Sequence, residues 1–84
     1  MLLQIVYCAR VREAVGVDGE QVEVEAGTSI ADLIDKLASQ SDRHATAFSD
    51  RCKLRFALDQ KMVRADALLG GAKELAIFPP VTGG

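Results

Sequence analysis

The chain opens on Leu2-Leu3-Gln4-Ile5-Val6-Tyr7-Cys8-Ala9, a near-continuous apolar run of strand-forming residues. Such a run predicts a central strand covered on at least one face, with Leu3, Ile5 and Tyr7 on one side and Leu2, Gln4, Val6 and Cys8 on the other. Arg10 to Gly16 then turn the chain, with a short helical turn ending at Gly16. From Glu20 to Glu25 the pattern alternates strictly, placing Val22 and Val24 inward and Glu23 and Glu25 in water. That is a half-exposed strand, and its glutamates are a wet face rather than a paired-carboxylate site.

The period then lengthens. Ile30, Leu33, Ile34, Leu37 and Ala38 form one apolar helical stripe, with Thr28 or Ser29 as its cap and Asp32 in its first turn. Ser41-Asp42 caps a weaker helical stretch through Phe48. After Asp50 the period returns to two: Leu54, Phe56 and Leu58 alternate with Lys53, Arg55 and Ala57. Lys61 to Val63 follow so closely that a hairpin around Asp59-Gln60 is expected, although those turn residues are not ideal ones. Gly70-Gly71 marks another turn, and Glu74 to Phe78 read as the last strand, stopped by Pro79. The basic set Arg51, Lys53, Arg55, Lys61 and Arg64 reads as the solvated face of that hairpin, with an acidic partner as the other reading.

The element order predicts an α+β domain: a mixed sheet of about five strands packed against one main helix, with some parallel pairing across the strand–helix–strand segment. It suits a β-grasp, ubiquitin-like fold. Eighty-four residues make one domain, 1–84. A net charge of −2 argues against nucleic acid as the main partner. No apolar run approaches the roughly 18 residues of a membrane span, and the N-terminus lacks the marks of a signal peptide, so a cytoplasmic protein is expected. Cys8 and Cys52 lie far apart and without a His or Cys cluster to hold a metal, so both read as free, small, partly buried apolar residues. The one histidine, His44, reads as a solvated helix residue rather than a catalytic base.

The chain ends in Phe78-Pro79-Pro80-Val81-Thr82-Gly83-Gly84. Two prolines stiffen the exit from the last strand, and two glycines strip the tip of side chains, so 79–84 is expected to be a flexible tail. This ending on Glu74-Leu75-Ala76-Ile77, together with Tyr7 to Gly16, the helix after Gly27-Thr28-Ser29-Ile30 and the length, resembles the MoaD-type small subunits of molybdopterin synthase. The likeness covers the whole chain. A terminal Gly-Gly by itself is unspecific, being shared with ubiquitin-like modifiers and the thiamine-pathway sulfur carrier.

The resemblance implies a sulfur carrier in molybdenum cofactor biosynthesis. An E1-like activating enzyme would spend ATP to adenylate Gly84, and a sulfur donor protein would convert it to a thiocarboxylate. The large synthase subunit would receive the tail, recognising Pro79, Pro80, Val81, Thr82 and Gly83, and sulfur would pass to a cyclic pterin precursor. The chain itself would carry no catalytic side chain, bind no cofactor or metal, and meet neither nucleic acid nor membrane. Strand parity puts Phe78 away from the helix if Leu75 and Ile77 face it. In the fold implied by resemblance the first and last strands are neighbours, so Cys8 and Phe78 share an open apolar face beside the tail, joined by Met62 for partner docking. The competing reading buries Phe78 and Met62 in the core. Two other functions stay open: a carrier for thiamine or tRNA thiolation or a protein modifier, and a β-grasp interaction module with an inert tail.

Overall fold

The structure is a computed structural model describing residues 1–80. Its elements run β1 (Leu2–Tyr7), α1 (Ala9–Val15), β2 (Gly19–Glu23), α2 (Ile30–Ala38), α3 (Asp42–Ala47), a 3-10 turn at Arg51–Lys53, β3 (Arg55–Leu58), β4 (Lys61–Val63) and β5 (Glu74–Phe78). Among the described residues the strands form one sheet in the order β2-β1-β5-β3-β4. β1 and β5 run parallel, and the β1–β2, β3–β5 and β3–β4 pairs are antiparallel. The helical face of this mixed sheet is covered by α2, which gives the β-grasp arrangement.

Period-two alternation decides which side of each strand is dry. Leu3, Ile5 and Tyr7 of β1 and Leu75 and Ile77 of β5 are buried in one core with the helices. Helix α2 contributes its predicted stripe, Ile30, Leu33, Ile34 and Leu37, each 0–1% exposed. Fully burying one such side chain is worth about 1.5–3 kcal/mol relative to leaving it in water. Phe48, Leu54, Phe56 and Leu69 close the ends of this core.

Caps and turns set the boundaries. Ser29 Oγ accepts from the Asp32 amide at 3.1 Å and starts α2; Ser41 Oγ accepts from the His44 amide at 3.1 Å and starts α3. The expected helical turn after β1 is a two-turn helix, α1, closed by Gly16 in the left-handed region at φ 96°. Asp59 and Gln60 also have positive φ, 47° and 72°, the geometry of a two-residue primed hairpin turn. Neither is glycine, and the Asp59 side chain supplies a reason for the choice. Its Oδ1 accepts from the amides of Lys73 and Glu74, both at 3.0 Å, and so ties the hairpin to the start of β5.

Two sequence expectations change here. Arg51 and Lys53 sit on the 3-10 turn before the hairpin, because the Asp50 side chain accepts from the Cys52 amide and caps a helical turn there. Arg51 also pairs with Asp35 at 2.9 Å. Cys52 is exposed rather than partly buried, since that same turn lifts it off the core.

Candidate functional site

The last strand is also a central one. β5 lies between β1 and β3, and its ladder with β3 runs to the Arg55–Phe78 pair. On its other side the Cys8 amide donates to the Ile77 carbonyl at 3.1 Å. The strand is therefore held by β3 to its final residue and by the β1 side to the residue before it. Pro79 has no N–H with which to continue the ladder, so the chain leaves the sheet there. Pro79 and Pro80 are half-buried at this exit. Val81, Thr82, Gly83 and Gly84 lie outside the described residues.

The sheet face turned away from α2 is apolar beside that exit. Ala76 and Phe78 alternate with the buried Leu75 and Ile77. Register places Val6, Ala76, Ala57 and Met62 in one row across four strands. Cys8, one residue past the Tyr7–Ile77 pair and still extended, carries the β1 parity onward beside Phe78. Cys8 and Phe78 are half-buried and Met62 is 63% exposed, so neither Phe78 nor Met62 belongs to the core. Ala57 at the centre of the row is buried, Val6 and Ala76 are half-buried, and Arg55 and Lys61 stand exposed at its edge. A small-residue centre at Ala57 and Ala76 with bulkier groups around it is a shape that a protein surface can meet closely.

A polar cluster at the same end of β1, on its helical face, corrects one expectation. His44 is not solvated: its side chain is 14% exposed, and its Nε2 lies 2.8 Å from Glu20 Oε2. The Tyr7 hydroxyl donates to the same Glu20 oxygen at 2.8 Å. Ser41 Oγ lies 2.7 Å from His44 Nδ1. The Tyr7, His44 and Phe48 rings pack with centroids 6.1–6.4 Å apart. Glu20 shares the inward parity of Val22 and Val24, which was the available signal that it points in, not out. Burial, then the bond to Glu20 and its charge, push the Tyr7 hydroxyl well above the ordinary tyrosine range. The cluster joins β1, β2 and α3, and the Tyr7 phenol at its centre is buried. Its chemistry suits it to fixing α3 against the sheet.

Among the described residues no group of three or more His, Cys, Asp or Glu side chains is placed to hold a metal. No helix of these residues is long and apolar enough to cross a membrane.

Comparison with known proteins places these features. The ThiS family model matches residues 5–84. Over 83 residues the chain is 42% identical to the molybdopterin synthase sulfur carrier subunit of Escherichia coli (strain K12), covering 99% of this chain and 100% of that one. It is 32% identical to the subunit of the same name from Mycobacterium tuberculosis (strain ATCC 25618 / H37Rv), with 98% and 96% covered. Among solved structures it is similar to a putative molybdopterin converting factor, subunit 1, from Pyrococcus furiosus, with a TM-score of 0.75, 28% identity, and 96% and 99% of the two chains covered. SAMP1 from Haloferax volcanii superposes with a TM-score of 0.75 over the whole of both chains at 22% identity, a likeness of fold.

Proposed function

The chain belongs to the ThiS family, and on that premise we propose that it is the sulfur carrier subunit of a molybdopterin synthase, working through its C-terminal carboxylate. The observation that carries this reading is the exit of the tail. It leaves from a central strand held on both sides, next to a partly exposed apolar sheet face, in a chain that matches sulfur carrier subunits over nearly its whole length. Such a body can dock while its tip works elsewhere.

The chemistry explains the device. A C-terminal carboxylate has a pKa of about 3.5 and is ionised at neutral pH, which makes it a poor electrophile. Transfer of AMP from ATP to the Gly84 carboxylate, with release of pyrophosphate, makes an acyl adenylate. Sulfide (HS⁻) delivered by the donor then attacks the carbonyl carbon and expels AMP, and loss of the S–H proton leaves the thiocarboxylate. This chain's part is to present its end. Gly83 and Gly84 carry no Cβ to clash in a narrow channel. Pro79 and Pro80 restrict the backbone before insertion and so reduce the ordering cost. Four residues past Pro80 extend at most about 13 Å, enough for the tip to enter a cleft while the body stays at its mouth. In this reading the large synthase subunit supplies that cleft and the pterin precursor receives the sulfur. Phe78, Cys8 and Met62 supply the docking face.

Intact-protein mass spectrometry tests the reading. After incubation with the activating enzyme, ATP and a sulfur donor, the wild-type chain gains the mass of one oxygen exchanged for sulfur, located on its terminal peptide. Deletion of Gly84, or one residue added after it, abolishes the gain and the sulfuration of the pterin, because a reacting atom displaced by an ångström can cost about a hundredfold in rate. A truncated chain that still gains the mass and delivers sulfur would refute the carboxylate as the reactive group.

A further inference from the structure

On the helical side of the tail's exit lies an open groove of about 580 Å³ whose walls come from α1, α3 and the 3-10 turn. Val11, Ala14, Ala47 and Leu54 give it an apolar lining, and Arg10 and Lys53 bring two cations to it. Asp50 brings one anion and sits 3.9 Å from Lys53. Among the described residues Arg10 makes no ion pair, so the groove has a cation to offer. Pro79 and Pro80 complete the lining, which makes the groove continuous with the root of the tail.

We propose that this groove receives an acidic, extended segment from the rim of the large subunit's tail channel, a second contact opposite the Phe78 face. The inference rests on the sulfur-carrier reading. A channel that takes the tail has to surround its root, and that root has the apolar sheet face on one side and this groove on the other. The sheet face offers packing without charge at its centre, whereas the groove offers an apolar floor with an excess of cations. Thr46 and Ser49 also line its wall, the Ser49 hydroxyl donating to the Thr46 carbonyl at 2.9 Å. Charges at the edge of an interface act mainly on the association rate and its salt dependence.

The test uses the full chain and the large synthase subunit of the same organism. The double variant R10E/K53E is compared with R10E alone, with F78A, and with the charge-matched control K36E/K73E, whose positions lie off the groove. All four exposed cations are outside the core, so these charge variants keep the wild-type circular dichroism. We expect R10E/K53E to weaken binding at least about tenfold in 50 mM salt, through a slower association, with the gap closing as salt is raised toward 1 M. K36E/K73E changes affinity no more than about twofold. A photo-crosslinking phenylalanine analogue in place of Thr46 is expected to join an acid-rich peptide of the large subunit. If R10E/K53E binds as wild type while F78A weakens binding, the groove contact is wrong and the carrier reading stands. Crosslinks to the chain's own terminal peptide or to a second copy overturn it equally. If the wild-type chain does not bind the large subunit at all, the function proposed above fails and the groove contact falls with it.

Discussion

Replacing Glu20 by alanine removes the one acceptor that the structure gives to the Tyr7 hydroxyl, 2.8 Å away, and the carboxylate partner of His44, also at 2.8 Å. Tyr7 is 2% exposed, so water cannot replace the lost acceptor without disturbing the core. An orphaned buried donor costs about 1–3 kcal/mol. The His44–Glu20 contact is partly open to solvent and adds about 0.5–1 kcal/mol. Glu20→Ala is therefore expected to cost about 1.5–4 kcal/mol in total, a large share of the stability of so small a domain. Tyr7→Phe removes the donor instead and leaves Glu20 with His44 and solvent, at a cost of about 1 kcal/mol. The double variant then costs less than the sum of the two, since no hydroxyl remains to be orphaned. Urea unfolding followed by far-ultraviolet circular dichroism measures this. With a slope of about 1 kcal/mol/M, Glu20→Ala lowers the midpoint by about 1.5–4 M at unchanged slope. Alkaline pH provides a second reading of the same phenol. Its folded pKa is raised, so its contribution is complete below the unfolded value of about 10 and is lost above it, at about 1.4 kcal/mol per pH unit. Tyr7→Phe removes that alkaline decline. A Glu20→Ala cost below about 0.5 kcal/mol, or strict additivity with Tyr7→Phe, would refute the account of the cluster.

Phe78→Ala should weaken binding to the large subunit by about 1–3 kcal/mol in calorimetric titration while the free chain keeps its circular dichroism, because Phe78 lies on the open face; an unfolded variant would return it to the core. Cys8→Ser with Cys52→Ser should leave acceptance of sulfur intact by mass spectrometry, and loss of transfer in a folded, docking-competent variant would point to thiol chemistry in this chain. Gly19→Ala would place a Cβ 2.3 Å from the Ile5 carbonyl oxygen, so β2 must move off β1; a cost of about 1–3 kcal/mol in thermal unfolding is expected, and a neutral result would mean that the strand pair yields easily.

Much of this molecule follows from local periodicity. The two-residue alternation in β1, β2 and β5 and the 3.6-residue stripe from Ile30 to Ala38 name most of the core, because a side chain's face depends on backbone geometry repeated over a few residues. The caps at Ser29 and Ser41 and the stop at Pro79 are equally local, each resting on the hydrogen-bonding capacity of one side chain or its absence. Parity also put Phe78 on the face away from the helix. What parity could not supply was neighbourhood. That Val6, Ala76, Ala57 and Met62 form one row depends on β5 inserting between β1 and β3, a pairing of segments far apart in the chain. His44 looked solvated because its sequence neighbours are polar, and its burial against Tyr7, Phe48 and Glu20 arises only when α3 folds back over the sheet. The groove between α1 and α3 has the same origin: its walls come from residues 10 to 80, and no short window of sequence contains it. Local backbone geometry sets which way each residue faces, while chain topology, set by burying all the apolar faces at once, decides what it meets there.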